Sequence, residues 1–167
     1  MTAKNISPSD APVNAPLRCE PNPPQRILVV EDDAAIRRLN TEILTCSGYQ
    51  VDAAEDGGAA WDALQLNNYD LVVTDNDMPK VTGVELIQKL RAARMALPVI
   101  MATGAQPEEV FTRYGMLPPA ITLLKPYTFN ELLTAVKEVL RAAGDSLGEI
   151  APPATWQVQL LAERFRL

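Results

Sequence analysis

Histidine is absent from this chain of 167 residues, and cysteine occurs only twice, as Cys19 and Cys46. Without histidine, neither a Ser-His-Asp triad nor a Cys-His catalytic pair can form. Two isolated cysteines are too few for the usual zinc sites and do not predict a disulfide framework, which favours a reducing cytoplasm. Any chemistry must therefore come from carboxylates, lysine, hydroxyl groups and a hard cation.

Long apolar runs and an excess of positive charge are missing as well. No run approaches the roughly 18 apolar residues that a membrane span needs, and residues 1–24 lack the apolar centre of a secretory signal. The chain has 15 Lys and Arg residues and 21 Asp and Glu residues, so the net charge is −6, and the pI is about 4.7. This balance disfavours a general role in nucleic-acid binding. We therefore expect neither a membrane nor a nucleic acid among the partners.

Length and composition predict one globular domain between two tails. Residues 1–25 hold six prolines among small polar residues, so this arm is predicted to be disordered or extended. The domain is predicted to cover residues 26–143. The tail at 144–167 ends in "TWQVQLLAERFRL", whose apolar residues follow a helical period. That tail predicts either a short helix docked on its own domain or a helix that binds a partner.

Short, continuous apolar runs predict buried strands. Runs without polar alternation are typical of parallel strands that are covered on both faces, whereas a weaker, partly alternating run is typical of an edge strand. The four continuous runs are "ILVV" (27–30), "LVVT" (71–74), "VIMAT" (99–103) and "ITLL" (121–124), and the weaker one is "QVDAA" (50–54).

Segments of helical period separate these strands. Asp33 is a predicted N-cap for the first helix, and strand and helix alternate five times, which predicts an α/β fold with a doubly wound parallel sheet. The predicted helical features are a first apolar face of Ile36, Leu39, Ile43 and Leu44, the segment 57–66, a face of Val84, Ile87 and Leu90, the segment 107–114, and a last stripe of Phe129, Leu132, Leu133, Val136, Val139 and Leu140.

Polar residues follow four of the predicted strands. In an open α/β sheet the ligand site lies at the carboxyl ends of the strands, so these side chains are expected to meet at one edge. They are Glu31-Asp32-Asp33 after the first strand, Asp75 and Asp77 after the third, Thr103 at the end of the fourth, and Lys125-Pro126 after the fifth.

These residue types suit phosphoryl chemistry with a hard cation. Clustered carboxylates stay ionised only where a cation or Lys125 offsets their charge, and oxygen ligands suit Mg²⁺ or Mn²⁺. One Asp can attack phosphorus to give an acyl phosphate, while the metal, the lysine and a threonine hydroxyl each take a phosphoryl oxygen. Taken singly, Asp33 is explained as a helix cap, Lys-Pro as a turn and Thr103 as a backbone partner. Asp75 follows an apolar run directly and would be poorly solvated without a partner.

Four separated motifs, in order and at consistent distances, resemble the receiver domain of two-component response regulators, of the chemotaxis-regulator-like kind. They are "ILVVEDD", "DLVVTDNDMPKVTG", "PVIMATG" and "LLKP", within about residues 26–143. The resemblance implies a flavodoxin-like fold with sheet order 2-1-3-4-5 and five helices. It also implies a cytoplasmic phosphoprotein that serves phosphorelay signal transduction and catalyses only its own phosphorylation and dephosphorylation.

The resemblance also implies a magnesium site. Asp32 would bind Mg²⁺ directly, and Glu31 would bind it mostly through water. Asp75 would contribute its carboxylate, and Asp77 would contribute its backbone carbonyl.

The phosphoryl group has its own set of residues by the same resemblance. Asp75 would accept the group, Thr103 would bond one phosphoryl oxygen, and Lys125 would pair with the phosphate. The Lys125-Pro126 peptide bond is expected to be cis.

Four features depart from the family pattern. Thr122 stands where the family usually has an aromatic switch residue, so switching by an inward-moving ring is in doubt. Asp77 adds a negative side chain beside the acceptor. Ala105 offers no group to direct a hydrolytic water, and "GMLPPAI" replaces the usual acidic stretch before the fifth strand, so dimerisation through that surface is not assumed.

The prediction is a single-domain receiver that takes a phosphoryl group from a phosphohistidine of a sensor histidine kinase or histidine phosphotransfer protein. It would signal by protein contact or by onward transfer to an unidentified partner, since about 24 residues follow the domain. The alternative to a single-domain receiver is that this chain is a piece of a larger hybrid kinase. The rival functions are a degenerate receiver that acts as a scaffold and a haloacid dehalogenase-type phosphatase, whose Asp-x-Asp normally closes the first strand. A nucleotide-binding domain is disfavoured because acids stand where a glycine-rich phosphate loop would lie.

Overall fold

A parallel five-stranded sheet forms the centre of the protein. The computed structural model describes residues 24–104 and 119–146. Within them, the strands lie in the order β2-β1-β3-β4-β5, which confirms the predicted topology and puts the weakly apolar strand at an edge. The strands are β1 (Arg26–Val30), β2 (Gln50–Ala54), β3 (Leu71–Asp75), β4 (Val99–Thr103) and β5 (Ile121–Leu124).

Helices cover both faces of the sheet. In the described residues they are α1 (Ala34–Cys46), α2 (Gly57–Leu66), α3 (Gly83–Ala92) and α4 (Phe129–Ser146). The helix predicted at 107–114 lies outside the described residues, as do the proline-rich arm before residue 24 and the tail after residue 146. None of the described helices is long and apolar enough to cross a membrane.

Two apolar layers hold the helices against the sheet. Successive residues of a strand point to opposite faces, so Leu28 and Val30 pack on the side of α2 and α3, while Ile27 and Val29 pack on the side of α1 and α4. The continuous apolar runs of the sequence reflect this burial on both faces. The layers leave the carboxyl ends of the strands as the edge where polar groups collect.

The predicted apolar face of α1 is only partly buried against the sheet. Leu44 is buried, but Ile36 and Leu39 are exposed, and Asn40 is buried instead. Residues four apart lie on one side of a helix, so Asn40 and Leu44 share the side that meets the sheet. A polar residue in that position broke the apolar period that the prediction relied on.

The last helix buries most of its predicted stripe. Leu132, Val136, Val139 and Leu140 are buried, but Phe129 is 50% exposed. Phe129 is the first residue of α4, and α4 begins just after the carboxyl end of β5. Its side chain therefore lies at the rim of the sheet rather than over the apolar layer.

This difference predicts unequal costs for two truncations in α4. Leu132→Ala should lower the free energy of unfolding by about 2–5 kcal/mol, because it opens a cavity among fully buried side chains. Phe129→Ala, the matched control, should cost less than about 1 kcal/mol. Urea denaturation followed by circular dichroism measures both values, and equal losses would contradict the described orientation of α4.

Candidate functional site

Three carboxylates meet where β1 and β3 end. These strands pair in parallel up to Val30 and Thr74, so the residues that follow, Glu31 and Asp75, come side by side. One carboxylate oxygen from each of Glu31, Asp32 and Asp75 lies within 4.8 Å of the other two. Glu31 and Asp75 are buried, at 3% and 4% exposure, whereas Asp32 is exposed.

Lys125 reaches this acid cluster from β5. Its Nζ lies 2.8 Å from Asp75 Oδ2 and 3.5 Å from Glu31 Oε2. Lys125 begins the short loop between β5 and α4 (residues 125–128), here called the lysine loop. Its backbone N–H donates to Thr103 O at 2.9 Å, which fixes the start of this loop to β4. The Lys125-Pro126 peptide bond is cis, as expected.

Burial and mutual repulsion set the charges of the site. Burial, and then the neighbouring Asp75, raise the pKa of Glu31 above its usual value, although Lys125 partly offsets this effect. Burial disfavours the ammonium form of Lys125, but its hydrogen bond and attraction to Asp75, with the attraction to Glu31, raise its pKa overall. The lysine is therefore a stable counterion for the cluster.

The donor set fits a small, hard divalent cation. Asp75 Oδ1 is buried and has no hydrogen-bond partner in the part of the chain that the structure describes, so one oxygen of this carboxylate is left for a ligand while Lys125 occupies the other. Mg²⁺ prefers to bind a few carboxylates and to keep several waters. The cluster matches this preference because it offers three carboxylates, of which that of Asp32 is exposed to solvent. Glu31, Asp32 and Asp75 are the side chains that could hold it.

The first turn of α1 holds in place the acidic loop, residues 31–33, which connects β1 to α1. Asp33 is the N-cap of α1, and its side chain accepts from the backbone N–H groups of Ala35 and Ile36, which confirms the predicted cap. Arg37 donates from Nη1 to Glu31 O at 2.6 Å and to Asp32 O at 3.1 Å. No local sequence pattern indicates this role of Arg37, because its partners are backbone carbonyls.

The loop after β3 turns tightly beside Asp75. The side chain of Asp77 is exposed, accepts from Asn76 Nδ2 at 3.0 Å and lies outside the acid cluster. Its predicted role as a carbonyl ligand stays a prediction. The loop returns through Gly83, whose N–H donates to Asn76 O at 3.2 Å, and a Cβ on Gly83 would overlap the backbone oxygen of Asp75.

The hydroxyl residues occupy β4 and β5. Thr103 ends β4 and is fully buried, so its placement at the carboxyl edge agrees with the prediction, while its contact with a phosphoryl oxygen stays a prediction. Thr122 is half-buried within β5, opposite Met101. Ala105 lies outside the described residues.

The sequence model of the response regulator receiver domain matches residues 27–137. The chain belongs to this family. The match covers more than half of the chain, including every residue of the acid cluster and Lys125.

Full-length response regulators are among the relatives of this receiver. Response regulator MprA of Mycobacterium sp. (strain KMS) is 35% identical over 135 residues, which is 80% of this chain and 58% of that protein. Transcriptional regulatory protein RprY of Bacteroides fragilis (strain YCH46) is 34% identical over 116 residues, or 70% of this chain and 49% of that protein. The chain thus spans about half the length of these relatives.

Solved receiver structures share the fold. The chemotaxis response regulator CheY4 of Vibrio cholerae has a TM-score of 0.64 and 27% identity, covering 70% of this chain and 98% of that one. The response regulator TrrA of Thermotoga maritima, in complex with Mg²⁺ and BeF, has a TM-score of 0.61 and 32% identity, covering 69% and 98%.

The close approach at Gly83 predicts a strong effect of a single methyl group. Gly83→Ala should destabilise the protein by at least about 1 kcal/mol, because the new Cβ must displace the backbone of Asp75. Gly144→Ala is the control: it lies in α4 with open space around it and should stabilise by about 0.5–1 kcal/mol. Urea denaturation of both variants checks this, and equal stabilities would contradict it.

The buried position of Glu31 predicts a dependence of stability on pH. Because the pKa of Glu31 is raised in the folded protein, its contribution to stability is fully present below the unfolded pKa of about 4.3 and is lost as pH rises through the folded pKa. Glu31→Gln should therefore be more stable than wild type at pH 7 in metal-free buffer, and this advantage should shrink at pH 4. An advantage that is the same at both pH values would contradict the described charge interactions.

Proposed function

We propose that Asp75 accepts a phosphoryl group from a phosphohistidine of a sensor histidine kinase or histidine phosphotransfer protein. The observation that carries the proposal is the asymmetry of the Asp75 carboxylate. One oxygen pairs with Lys125 at 2.8 Å, and the other is buried and has no hydrogen-bond partner among the described residues. A buried carboxylate with one oxygen left for a ligand is suited to attack phosphorus.

The proposed step moves one phosphoryl group between two proteins. A carboxylate oxygen of Asp75 forms a bond to phosphorus as the N–P bond of the phosphohistidine breaks. The imidazole nitrogen keeps the electron pair of that bond, and the ring leaves as neutral imidazole because its other nitrogen already carries a proton. Lys125 pairs with the phosphoryl group as negative charge gathers on its oxygens, and the hydroxyl of Thr103 bonds one of them.

Magnesium fits the same site. Bound by Glu31, Asp32 and Asp75, with the backbone carbonyl of Asp77, Mg²⁺ would offset the charge of the phosphoryl oxygens. The related TrrA was solved with Mg²⁺ and BeF, which supports magnesium for this receiver, and Mn²⁺ has the same ligand preference. The rest of the work belongs to the protein: its residues orient the Asp75 carboxylate, hold Lys125 beside it and keep the carboxyl ends of the strands buried.

The proposed output is a contact with another protein or onward phosphotransfer, in the cytoplasm. The chain would act on no separate substrate and would catalyse only its own phosphorylation and dephosphorylation. One of the named relatives, RprY, is a transcriptional regulatory protein about twice as long as the region that it shares with this chain. For the 167 residues in hand, the absence of a nucleic-acid partner stays a prediction from their net charge of −6.

Asp75→Asn tests the acceptor directly. With Mg²⁺ and acetyl phosphate labelled at phosphorus, wild type should incorporate label and Asp75→Asn should incorporate none, because the amide cannot form the acyl phosphate. Asp62→Asn removes one carboxylate from the exposed side of α2 and serves as the matched control that keeps wild-type labelling. Label that persists in Asp75→Asn would disprove the assignment.

The same assay separates the rival functions. Wild type that takes up neither phosphoryl label nor beryllium fluoride in Mg²⁺ would favour the scaffold. Rapid turnover of p-nitrophenyl phosphate would favour a phosphatase despite the family match. Omission of Mg²⁺ should lower wild-type labelling steeply, since the three clustered carboxylates would then repel the incoming phosphate.

A further inference from the structure

Asn40 is an unusual residue for the place it occupies. It lies in the middle of α1, on the side that faces the sheet, and only 3% of its surface is exposed. A buried amide costs stability unless it forms hydrogen bonds. Asn40 Nδ2 donates to the hydroxyl oxygen of Tyr127 at 3.1 Å, across 87 residues of sequence. A pair of this kind indicates a role beyond filling space.

Tyr127 belongs to the short loop that carries Lys125. The ring of Tyr127 packs against the apolar layer beside α1 and α4, and its hydroxyl reaches α1 through Asn40. At the start of the loop, the N–H of Lys125 is bonded to β4. At its end, Thr128 and Glu131 cap α4 through reciprocal hydrogen bonds. Tyr127 therefore attaches the middle of the loop to α1.

The same helix also holds the acids. Arg37 of α1 donates to the backbone carbonyls of Glu31 and Asp32, and Asn40 lies one turn further along. α1 thus contacts both halves of the site: the backbone of the acidic residues before its N-terminus and, through Asn40 and Tyr127, the loop that bears the lysine. Without the hydrogen bond between Asn40 and Tyr127, the loop would keep its hydrogen bonds at β4 and at the start of α4 but would lose its attachment to α1.

We infer that the hydrogen bond between Asn40 and Tyr127 is a positioning device that sets the place of the Lys125 ammonium relative to Asp75. Both residues act through Lys125, so they are positioning residues and not catalytic ones. The inference rests on the proposed function for its kinetic consequence, because a displaced lysine would stabilise the incoming phosphoryl group less well. The hydrogen bond itself involves none of the proposed cation ligands, since Glu31, Asp32, Asp75 and Asp77 all lie outside this loop.

The test uses the full chain with Tyr127→Phe, Asn40→Leu and the double variant. Tyr127→Phe keeps the buried ring and removes only the hydroxyl. At saturating Mg²⁺, labelling by acetyl phosphate should slow by about threefold or more in each variant, because small misplacements of a charged group cost rate. The Mg²⁺ concentration that gives half-maximal rate should stay within about twofold of wild type, as expected where the metal ligands are untouched.

The double variant separates positioning from stability. Replacing both partners by apolar groups removes the unsatisfied amide, so stability should recover relative to Tyr127→Phe. The labelling rate should stay as low as in the single variants, because the loop is still detached from α1. A rate that recovers together with stability would show a merely structural role and overturn the inference.

Tyr69→Phe is the matched control. Tyr69 also donates a hydroxyl hydrogen bond, to Asp52 Oδ2 at 2.7 Å, but it does so away from the carboxyl edge of the sheet. Its removal should leave the labelling rate unchanged. A loss equal to that of Tyr127→Phe would overturn the inference.

A second readout does not require phosphorylation. The NMR signal of the Lys125 methylene next to Nζ should move in Tyr127→Phe toward the position of exposed lysines, and should not move in Tyr69→Phe. If wild type takes no label but this signal moves, the proposed function fails and the positioning role stands. If wild type is labelled and Tyr127→Phe changes neither rate nor signal, the positioning role fails and the proposed function stands.

Discussion

Repulsion among carboxylates at one edge of the sheet is the constraint around which the site is organised. Glu31 and Asp75 are buried side by side because β1 and β3 are neighbours in a parallel sheet. Two buried negative charges at this separation are costly unless a positive charge lies between or beside them. Lys125 supplies that charge in the described structure. The position of the lysine therefore follows from the burial of the two acids.

The elements around the cluster each restrict one of its members. Arg37 and the cap at Asp33 hold the acidic loop, and the tight return at Gly83 holds the backbone at Asp75. The lysine loop is bonded to β4, to the first turn of α4 and, through Tyr127, to α1. Rigid support of this kind lets the Asp75 carboxylate and the Lys125 ammonium keep their relative positions before any ligand arrives.

Most of the candidate site was predictable because its signal is local. An apolar run that ends in an acid, a hydroxyl residue or a lysine indicates a strand. It also indicates the edge of the sheet at which the last side chain of that strand lies. Parallel pairing then brings those ends together without further information. The inward side of α1 was not predictable in the same way. Asn40 interrupts the apolar period, and its burial depends on Tyr127, which stands 87 residues later in the sequence. The sequence places Phe129 on the apolar stripe of α4 for the converse reason, since this residue continues the helical period past the rim of the sheet, where its side chain is exposed.

The amino-acid sequence by itself determined the order of strands and helices, the family of the chain and the identity of the acids, the threonine and the lysine at the carboxyl edge. Each of these follows from periodicity or from motifs within a few residues. Only the tertiary structure decided which oxygen of Asp75 faces Lys125 and which is left for a ligand, and that α1 ties the acidic loop to the lysine loop. These features depend on distances between segments far apart in the chain, and such distances are set by packing, which no local pattern encodes.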